Sequence, residues 1–436
     1  MGPYRFIHRH FSALSQRELY DLMLLREDVF VVGQKITAEL EIDGLDPECV
    51  HVIGFDAEDQ IVATARLFMD ADPIKIGRIA VSTKLQGEGV GTELMHYVHH
   101  VMAGRAGVMS AQAYLERWYS RLGWQRKGEV YDEAEIPHIK MVRPGTSRVD
   151  AAREIIIDLG HARLAARAWG DPDAPPILAL HGWLDNAASF DRLAPLLPDH
   201  YVVAVDFPGH GYSPWRAAEA NYHFIDWVVT GFAMADALGW DQFSVLGHSM
   251  GAGVASLMAG CDDGRIEKTI LIEGLGPLSN PAKDAPANMT KAITRNRVAR
   301  HATLGVHADF ASAVKRRIEA GAMEEESARI LLERGTYPVG DGVRFSYDPK
   351  LRGTSYLRME EAQVRAFLGA IKSPVLLIRA RSGWDFNPTM MKERVACVPD
   401  ATLYSLDGGH HVHLDTPEAV AKRIKAFLVG DTGTSP

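Results

Sequence analysis

The sequence predicts an α/β protein of two domains, and three observations lead there. The chain has 436 residues, more than one hydrophobic core ordinarily serves. From Pro176 onward, short apolar runs alternate with helical patterns, the mark of a parallel sheet buried on both faces. Ahead of them stands Pro144-Gly145-Thr146-Ser147-Arg148, where Pro, Gly and Ser break any regular element. The expected domains are residues 1–147 and 148–436, each folding on its own.

Composition narrows the function. Hydrophobic residues make up 47% and charged residues 24%, as in an ordinary globular protein. A net charge of -9 carries no nucleic-acid footprint, which needs clustered Lys and Arg. Cys49, Cys261 and Cys397 lie far apart, without metal-ligand spacing or a disulfide framework, and fit a reducing compartment. The opening MGPYRFIHRHFSALSQ has no apolar run of the signal-peptide kind, and no stretch is apolar and long enough to span a bilayer. The expected setting is the cytoplasm, with small-molecule substrates, no nucleic acid and no membrane span. Oligomeric state is left open.

In chain order, the first chemistry-bearing segment is Ile76-Gly77-Arg78-Ile79-Ala80-Val81, which reads as a strand. Gln86-Gly87-Glu88-Gly89-Val90-Gly91-Thr92 follows, then an amphipathic helix from Glu93 to Met102. Glycines there let backbone amides approach a pyrophosphate at a helix N-terminus, where the helix dipole favours anions. A Rossmann turn is the competing reading. It lacks an acidic residue ending a suitable next strand, and the domain is too short for it. Ala111-Gln112-Ala113-Tyr114-Leu115 and Trp118-Tyr119-Ser120-Arg121-Leu122-Gly123-Trp124 come next.

These segments resemble the acyl-CoA loop and the late strand-helix segment of the GNAT superfamily of N-acetyltransferases, an α+β fold. Leu25 to Gln34, Glu41 to Asp46 and Ile136 to Met141 resemble its ElaA-type branch, and the likeness spans about Tyr20 to Met141. Gly33 departs from the branch, which usually has Glu there. The resemblance implies acetyl-CoA as cosubstrate, held against Ile79, Ala80 and Val81 and the loop residues Gln86, Gly87, Glu88, Gly89, Val90, Gly91 and Thr92. It implies Tyr119 as the group that protonates the departing thiolate. An amine must lose a proton before attack, so a base is expected, with Glu41 and Asp43 as candidates. His96, His99 and His100 fall at i, i+3, i+4 and read as surface histidines beside the loop rather than a zinc site.

Past the linker, Glu154 to Ile157 and Ala162 to Arg167 read as a strand hairpin. Apolar strands follow at Pro176–Leu180, Tyr201–Val205, Phe243–Leu246, Thr269–Ile272 and Val375–Ile378. From about 277 to 370 the rhythm stops, and helical patterns at Asp309–Ala322 and Glu324–Arg334 suggest a cap inserted between two strands. Gly247-His248-Ser249-Met250-Gly251 sits between a strand and a small-residue helix. This is G-x-S-x-G in its strand-turn-helix context, which makes Ser249 a nucleophile that needs a base.

Gly409-His410-His411-Val412-His413-Leu414-Asp415-Thr416-Pro417 resembles the ending of the α/β-hydrolase superfamily. Alignment on His413-Leu414 puts the base on His410. The three histidines lack a carboxylate or cysteine partner in sequence, so no metal is expected. His181-Gly182-Trp183 resembles the oxyanion loop, which implies the Trp183 and Met250 amides as the oxyanion hole. Asp206 to Ser213 matches the family's D-x-P-G-x-G-x-S turn, usually structural.

Two carboxylates compete for the acid. Asp385 follows the strand that ends at Ile378, the commoner location, on a long loop. Glu273 leaves the preceding strand, as the catalytic glutamate does in haloalkane dehalogenases. A strand end positions a side chain better than a long loop, so Glu273 is placed first with Asp385 kept beside it. His181 to Asn186, Ile272 to Pro277 and Gly408 to His411 make residues from about Glu154 to Val429 similar to the serine hydrolase-like proteins of this superfamily. The resemblance implies an esterase-like hydrolase acting on a carboxylic ester or similar acyl substrate, without a cofactor. The full expectation is a bifunctional enzyme. The alternative keeps the hydrolase active beside a non-catalytic acetyl-CoA-binding regulatory or scaffold domain. An interaction protein without catalysis fits poorly with the Ser249 and His410 pair.

Overall fold

The computed structural model describes residues 4–36, 40–102, 104–145, 152–217, 219–262 and 264–430. Its first part is a mixed eight-stranded sheet. The strands are β1 (Arg5–His10), β2 (Val50–Phe55), β3 (Ile61–Phe68), β4 (Ile74–Val81), β5 (Gly107–Gln112), β6 (Gln125–Arg126), β7 (Tyr131–Glu133) and β8 (Ile136–Arg143). They lie in the order β1-β2-β3-β4-β5-β8-β6, with β7 also on β8. Helices α1 (Gln16–Arg26), α2 (Val90–Met102) and α3 (Glu116–Arg121) complete it.

β4 and β5 are parallel but pair only at Ile74 with Gly107 and Lys75 with Val108. Beyond that point they part, leaving a wedge whose far end is Val81. α2 starts beside that end and buries Val90, Leu94, Met95, Val98, Val101 and Met102 on the sheet. That face is the apolar stripe of an amphipathic helix.

The second part is an eight-stranded sheet with a hairpin at one edge. Its strands are β9 (Arg153–Asp158), β10 (Arg163–Trp169), β11 (Pro176–Leu180), β12 (Tyr201–Val205), β13 (Phe243–His248), β14 (Ile266–Ile272), β18 (Val375–Ser382) and β19 (Ala401–Gly409), where β15 to β17 lie in the insertion described below. The order is β19-β18-β14-β13-β11-β12-β10-β9. β11 to β14 with β18 and β19 run parallel, and β10 turns antiparallel against β12. The central strands are buried along their length, so both faces must be covered. Helices α4 (Phe224–Ala237) and α5 (Met250–Cys261) pack on one another beside it.

The insertion between β14 and β18 holds α6 (Ala285–Arg300), α7 (Phe310–Gly321), α8 (Glu325–Gly335) and α9 (Glu361–Gly369). It also holds a three-stranded antiparallel sheet of β15 (Val306–His307), β16 (Thr336–Val339) and β17 (Gly342–Phe345), which the sequence pattern did not reveal. Strands of two to four residues are too short to show a period. After β18 come α10 (Pro388–Cys397), α11 (Val412–Asp415) and α12 (Pro417–Val429).

Thr146, Ser147 and Arg148 of the expected linker lie outside the described residues. The expectation of two self-sufficient folds meets a shared core. Tyr337 and Val339 of β16 are buried in the same cluster as Phe6, Val98 and Val101, and α2 packs directly on β16. Trp215 is buried with Ile7, Leu22 and Ile53. His8 Nε2 lies 3.0 Å from the Tyr212 carbonyl, Arg344 donates to the Tyr4 carbonyl at 3.0 Å, and Arg163 pairs with Asp70 at 2.8 Å. A linker composition predicts a boundary, but it says nothing of what the two sides bury against each other. Among the described residues no helix is long and apolar enough to cross a membrane.

Candidate active site

β13 delivers Ser249 through a turn that only glycines permit. A Cβ on Gly247 would overlap the Gly251 carbonyl, and one on Gly251 would overlap the Leu180 carbonyl. Ser249 itself has φ 52 and ψ -113, a strained setting for an L-residue. Its amide is pinned to the Ile272 carbonyl at 2.9 Å. The turn lifts Oγ off the strand end toward the loop after β19.

That loop presents His410. Its Nε2 lies 2.9 Å from Ser249 Oγ, and its Nδ1 lies 3.1 Å from Glu273 Oε2. Glu273 is fully buried at the end of β14, also at positive φ (54), with its amide tied to Ile378. Burial alone pushes its carboxyl pKa up. Hydrogen bonds from His410, the Ala380 and Trp384 amides and Arg379 outweigh that and hold it at about 2. The Ala380 amide donates to Oε1 at 2.7 Å, Arg379 Nε to Oε1 at 3.0 Å, and the Trp384 amide to Oε2 at 2.8 Å.

The structure brings Ser249, His410 and Glu273 together and leaves Asp385 exposed, with no hydrogen bond to a described residue. The long loop has a different use. It folds the Trp384 amide onto Glu273, and Gly383 passes so close that a Cβ would overlap Oε2. Sequence reasoning missed Arg379, Gly383 and these amides. They come from β18 and the loop after it, and no spacing in sequence links them to Glu273.

The Trp183 and Met250 amides enter no turn or loop hydrogen bond with a described residue. The loop bearing Trp183 is held by His181, whose Nε2 accepts from the Phe207 amide at 3.2 Å, so Nδ1 donates to the Gly182 carbonyl at 2.7 Å. Trp183 Nε1 donates to the Leu351 carbonyl at 3.0 Å, which ties this loop to the insertion. Asp206 accepts from the Ala187 and Tyr212 amides at 2.7 and 2.8 Å and pairs with buried Arg334, a structural role. A cavity of about 390 Å³ lies within the insertion, lined by Lys291, Arg295, Tyr356 and Arg358 among others; no triad residue borders it.

Beside the triad lies a second buried cluster, Asp185, His248 and His411. His248 Nε2 is 2.8 Å from the His410 carbonyl. Arg317 from α7 pairs with Asp185 Oδ1. Burial pushes the Asp185 carboxyl up, yet Arg317, with His411 next, holds it well below the usual range. The sequence saw His411 without a carboxylate partner; the fold supplies Asp185 from the loop after β11.

In the first domain, Gly87 and Gly89 take φ of 87 and 86. The Gly87, Gly89, Val90 and Gly91 amides, at the open end of the β4/β5 wedge, enter no turn hydrogen bond with a described residue. The loop is braced by Gln86 Nε2 on the Val81 carbonyl and Trp118 Nε1 on Thr92 Oγ1, each at 3.2 Å. Tyr119 is buried in the core of this domain, which pushes its phenol pKa up; its hydroxyl makes no hydrogen bond to a described residue.

Glu41 pairs with Arg26 and Arg78, and Asp43 with Arg66 at 2.7 Å and Arg78 at 3.2 Å. The hydrogen bond from Arg66 holds Asp43 well below the usual carboxylate range. Asp43, so stabilised in its charged form, is a weak proton acceptor. The three helix histidines are not a surface group. His100 is buried between Tyr212 and Tyr337, and His99 Nε2 accepts from Trp124 at 2.9 Å.

The alpha/beta hydrolase fold family model matches residues 175–417, and that of the acetyltransferase (GNAT) domain matches residues 33–143. A serine hydrolase-like protein of Danio rerio is 32% identical over 289 residues, covering 64% of this chain and 89% of that protein. Protein ElaA of Escherichia coli is 38% identical over 143 residues, 31% of this chain and 92% of ElaA. The crystal structure of a hypothetical protein from Pseudomonas aeruginosa PAO1 is 40% identical, with a TM-score of 0.61, covering 63% of this chain and 99% of that one.

Proposed function

We propose, for a chain that belongs to the alpha/beta hydrolase family and carries a GNAT acetyltransferase domain ahead of it, that it is a bifunctional enzyme. One activity is serine-dependent hydrolysis of a carboxylic ester or similar acyl substrate. The other is N-acetylation of an amine by acetyl-CoA. The observation that carries the first is the relay Ser249 Oγ to His410 Nε2 to Glu273, at 2.9 and 3.1 Å.

In this reading Ser249 Oγ attacks the acyl carbon while His410 Nε2 takes its proton. The developing oxyanion is met by the Trp183 and Met250 amides. Glu273 holds Nδ1–H and stabilises the imidazolium. His410 then returns the proton to the leaving oxygen, and a water, activated by the same ring, releases the acid. No cofactor is needed on this side.

The acetyl-transfer reading rests on the wedge between β4 and β5 and on the Gly87, Gly89, Val90 and Gly91 amides beside it, which make no turn hydrogen bond to a described residue. Those amides and the α2 N-terminus suit a pyrophosphate. Acetyl-CoA supplies the activated acyl group. Ile79, Ala80 and Val81 border the wedge, and Tyr119 is assigned to return a proton to the thiolate. A fluorophosphonate probe with a short-to-long acyl ester panel tests the hydrolase, and calorimetry with acetyl-CoA tests the other domain. Absence of labelling at Ser249, or of any acetyl-CoA binding, overturns the corresponding half.

A further inference from the structure

His248 Nε2 faces the His410 carbonyl at 2.8 Å. A carbonyl only accepts, so Nε2 carries the hydrogen. In the neutral ring Nδ1 is then a lone pair. That atom is buried, bonds to no described residue, and points at Asp185 Oδ2, 3.7 Å away. Two acceptors thus face each other in the interior. A second proton on His248 is a poor remedy, because three more imidazoles crowd it, with ring centres 4.0 to 5.1 Å away. His411 Nε2 approaches the same carboxylate oxygen at 3.4 Å.

We infer that Asp185, His248 and His411 form a binding site for a divalent transition metal of the zinc class. Their ligand atoms all lie within 4.8 Å of one another. Tetrahedral zinc, with bonds of roughly 2.0–2.1 Å, sets neighbouring ligand atoms about 3.4 Å apart. Two imidazoles and one carboxylate are a donor set that borderline metals accept. The supporting contact fits for His248, whereas His411 Nδ1 is buried without a partner among the described residues. A metal-bound histidine ordinarily donates its other N–H to a carbonyl or carboxylate, as His248 does to His410. The outer oxygen of the carboxylate is held by Arg317, which keeps that cation on the far side of Asp185. Gly182 leaves the space open: a Cβ there would stand 2.9 Å from Asp185 Oδ2 and 3.1 Å from His248 Nδ1. A metal on Nδ1 fixes His248 and, through its N–H, the backbone of His410. The ion is a positioning element next to the hydrolytic site.

The test uses the full chain, stripped with chelator and titrated with zinc by calorimetry, and it reads metal rather than turnover. One zinc per chain is expected, with affinity falling at least about tenfold in both His248→Ala and His411→Ala. Cobalt absorption bands should be lost in the same variants. Unchanged affinity in either variant overturns the site, and so does failure of the wild type to take up micromolar zinc, which assigns the gap to a water. X-ray absorption of the zinc-loaded wild type needs no variant. Two imidazoles and a carboxylate oxygen are expected; any other ligand set overturns the inference.

Discussion

At the residue scale, the proposed hydrolysis rests on three side chains and one glycine. Ser249→Ala should leave the melting temperature unchanged and reduce esterase turnover by at least about 10⁴-fold. Glu273→Gln keeps the volume but offers the imidazole the wrong partner, and by analogy with serine proteases should cost about 10⁴-fold in turnover. Asp385→Asn should stay within a few-fold, since Asp385 is exposed and unbonded. The reverse ranking would move the acid. Gly383→Ala should also impair turnover, because its Cβ collides with Glu273 Oε2. The carboxyl of Glu273 has its own acid signature. Its pKa is about 2 in the fold against an ordinary 4.5, so its contribution to stability is intact above 4.5 and lost as pH falls from there toward 2. Denaturant midpoints across that window should fall less steeply in Glu273→Gln.

At the element scale, the informative unit is the turn between β4 and α2. Gly89 sits at φ 86 with open space around it, so its requirement for glycine is conformational. A valine there costs about 1–2 kcal/mol in a left-handed setting and puts bulk beside the amides. Acetyl-CoA affinity of Gly89→Val should drop tenfold or more by calorimetry. Gly91→Ala should be milder, because its Cβ would meet the Trp118 ring at 3.4 Å and Val81 at 3.7 Å, both near ordinary contact. Equal tolerance of both would remove this turn from the binding site.

At the scale of the whole molecule, the two domains share buried surface. A fragment starting at Ala151 would expose Tyr337, Val339 and Trp215, each worth about 1.5–3 kcal/mol when buried. The full chain should melt in one calorimetric transition and the fragment at lower temperature or with aggregation. A fragment as stable as the chain would show the interface to be incidental. Acid should loosen this interface early. Burial holds His8 at about 4 and His100 at about 3, among Tyr97, Tyr212, Tyr337, Arg9, Arg334 and Asp206. Both are neutral in the fold and gain protons on unfolding below about 6.5. Stability from them is intact above 6.5 and lost as pH falls toward 4 and 3. His100→Phe should flatten the decline between pH 6.5 and 5.

By itself the sequence determined what is local. G-x-S-x-G needs only a strand, a turn and a helix contiguous in the chain, so Ser249 was legible from its neighbours. The apolar runs of β11 to β14 and the glycine turn before α2 were legible for the same reason. The acid was narrowed to two carboxylates, because each follows a parallel strand and sequence carries no distance between strand ends. Only the tertiary structure placed Glu273 against His410, since the donors that hold it come from β18 and the loop after it. The same holds for Asp185, which meets His248 and His411 from a loop more than sixty residues away, and for the aromatic seam between the domains. Contacts between segments distant in the chain leave no period or spacing to read; they exist once the sheet order brings strand ends together.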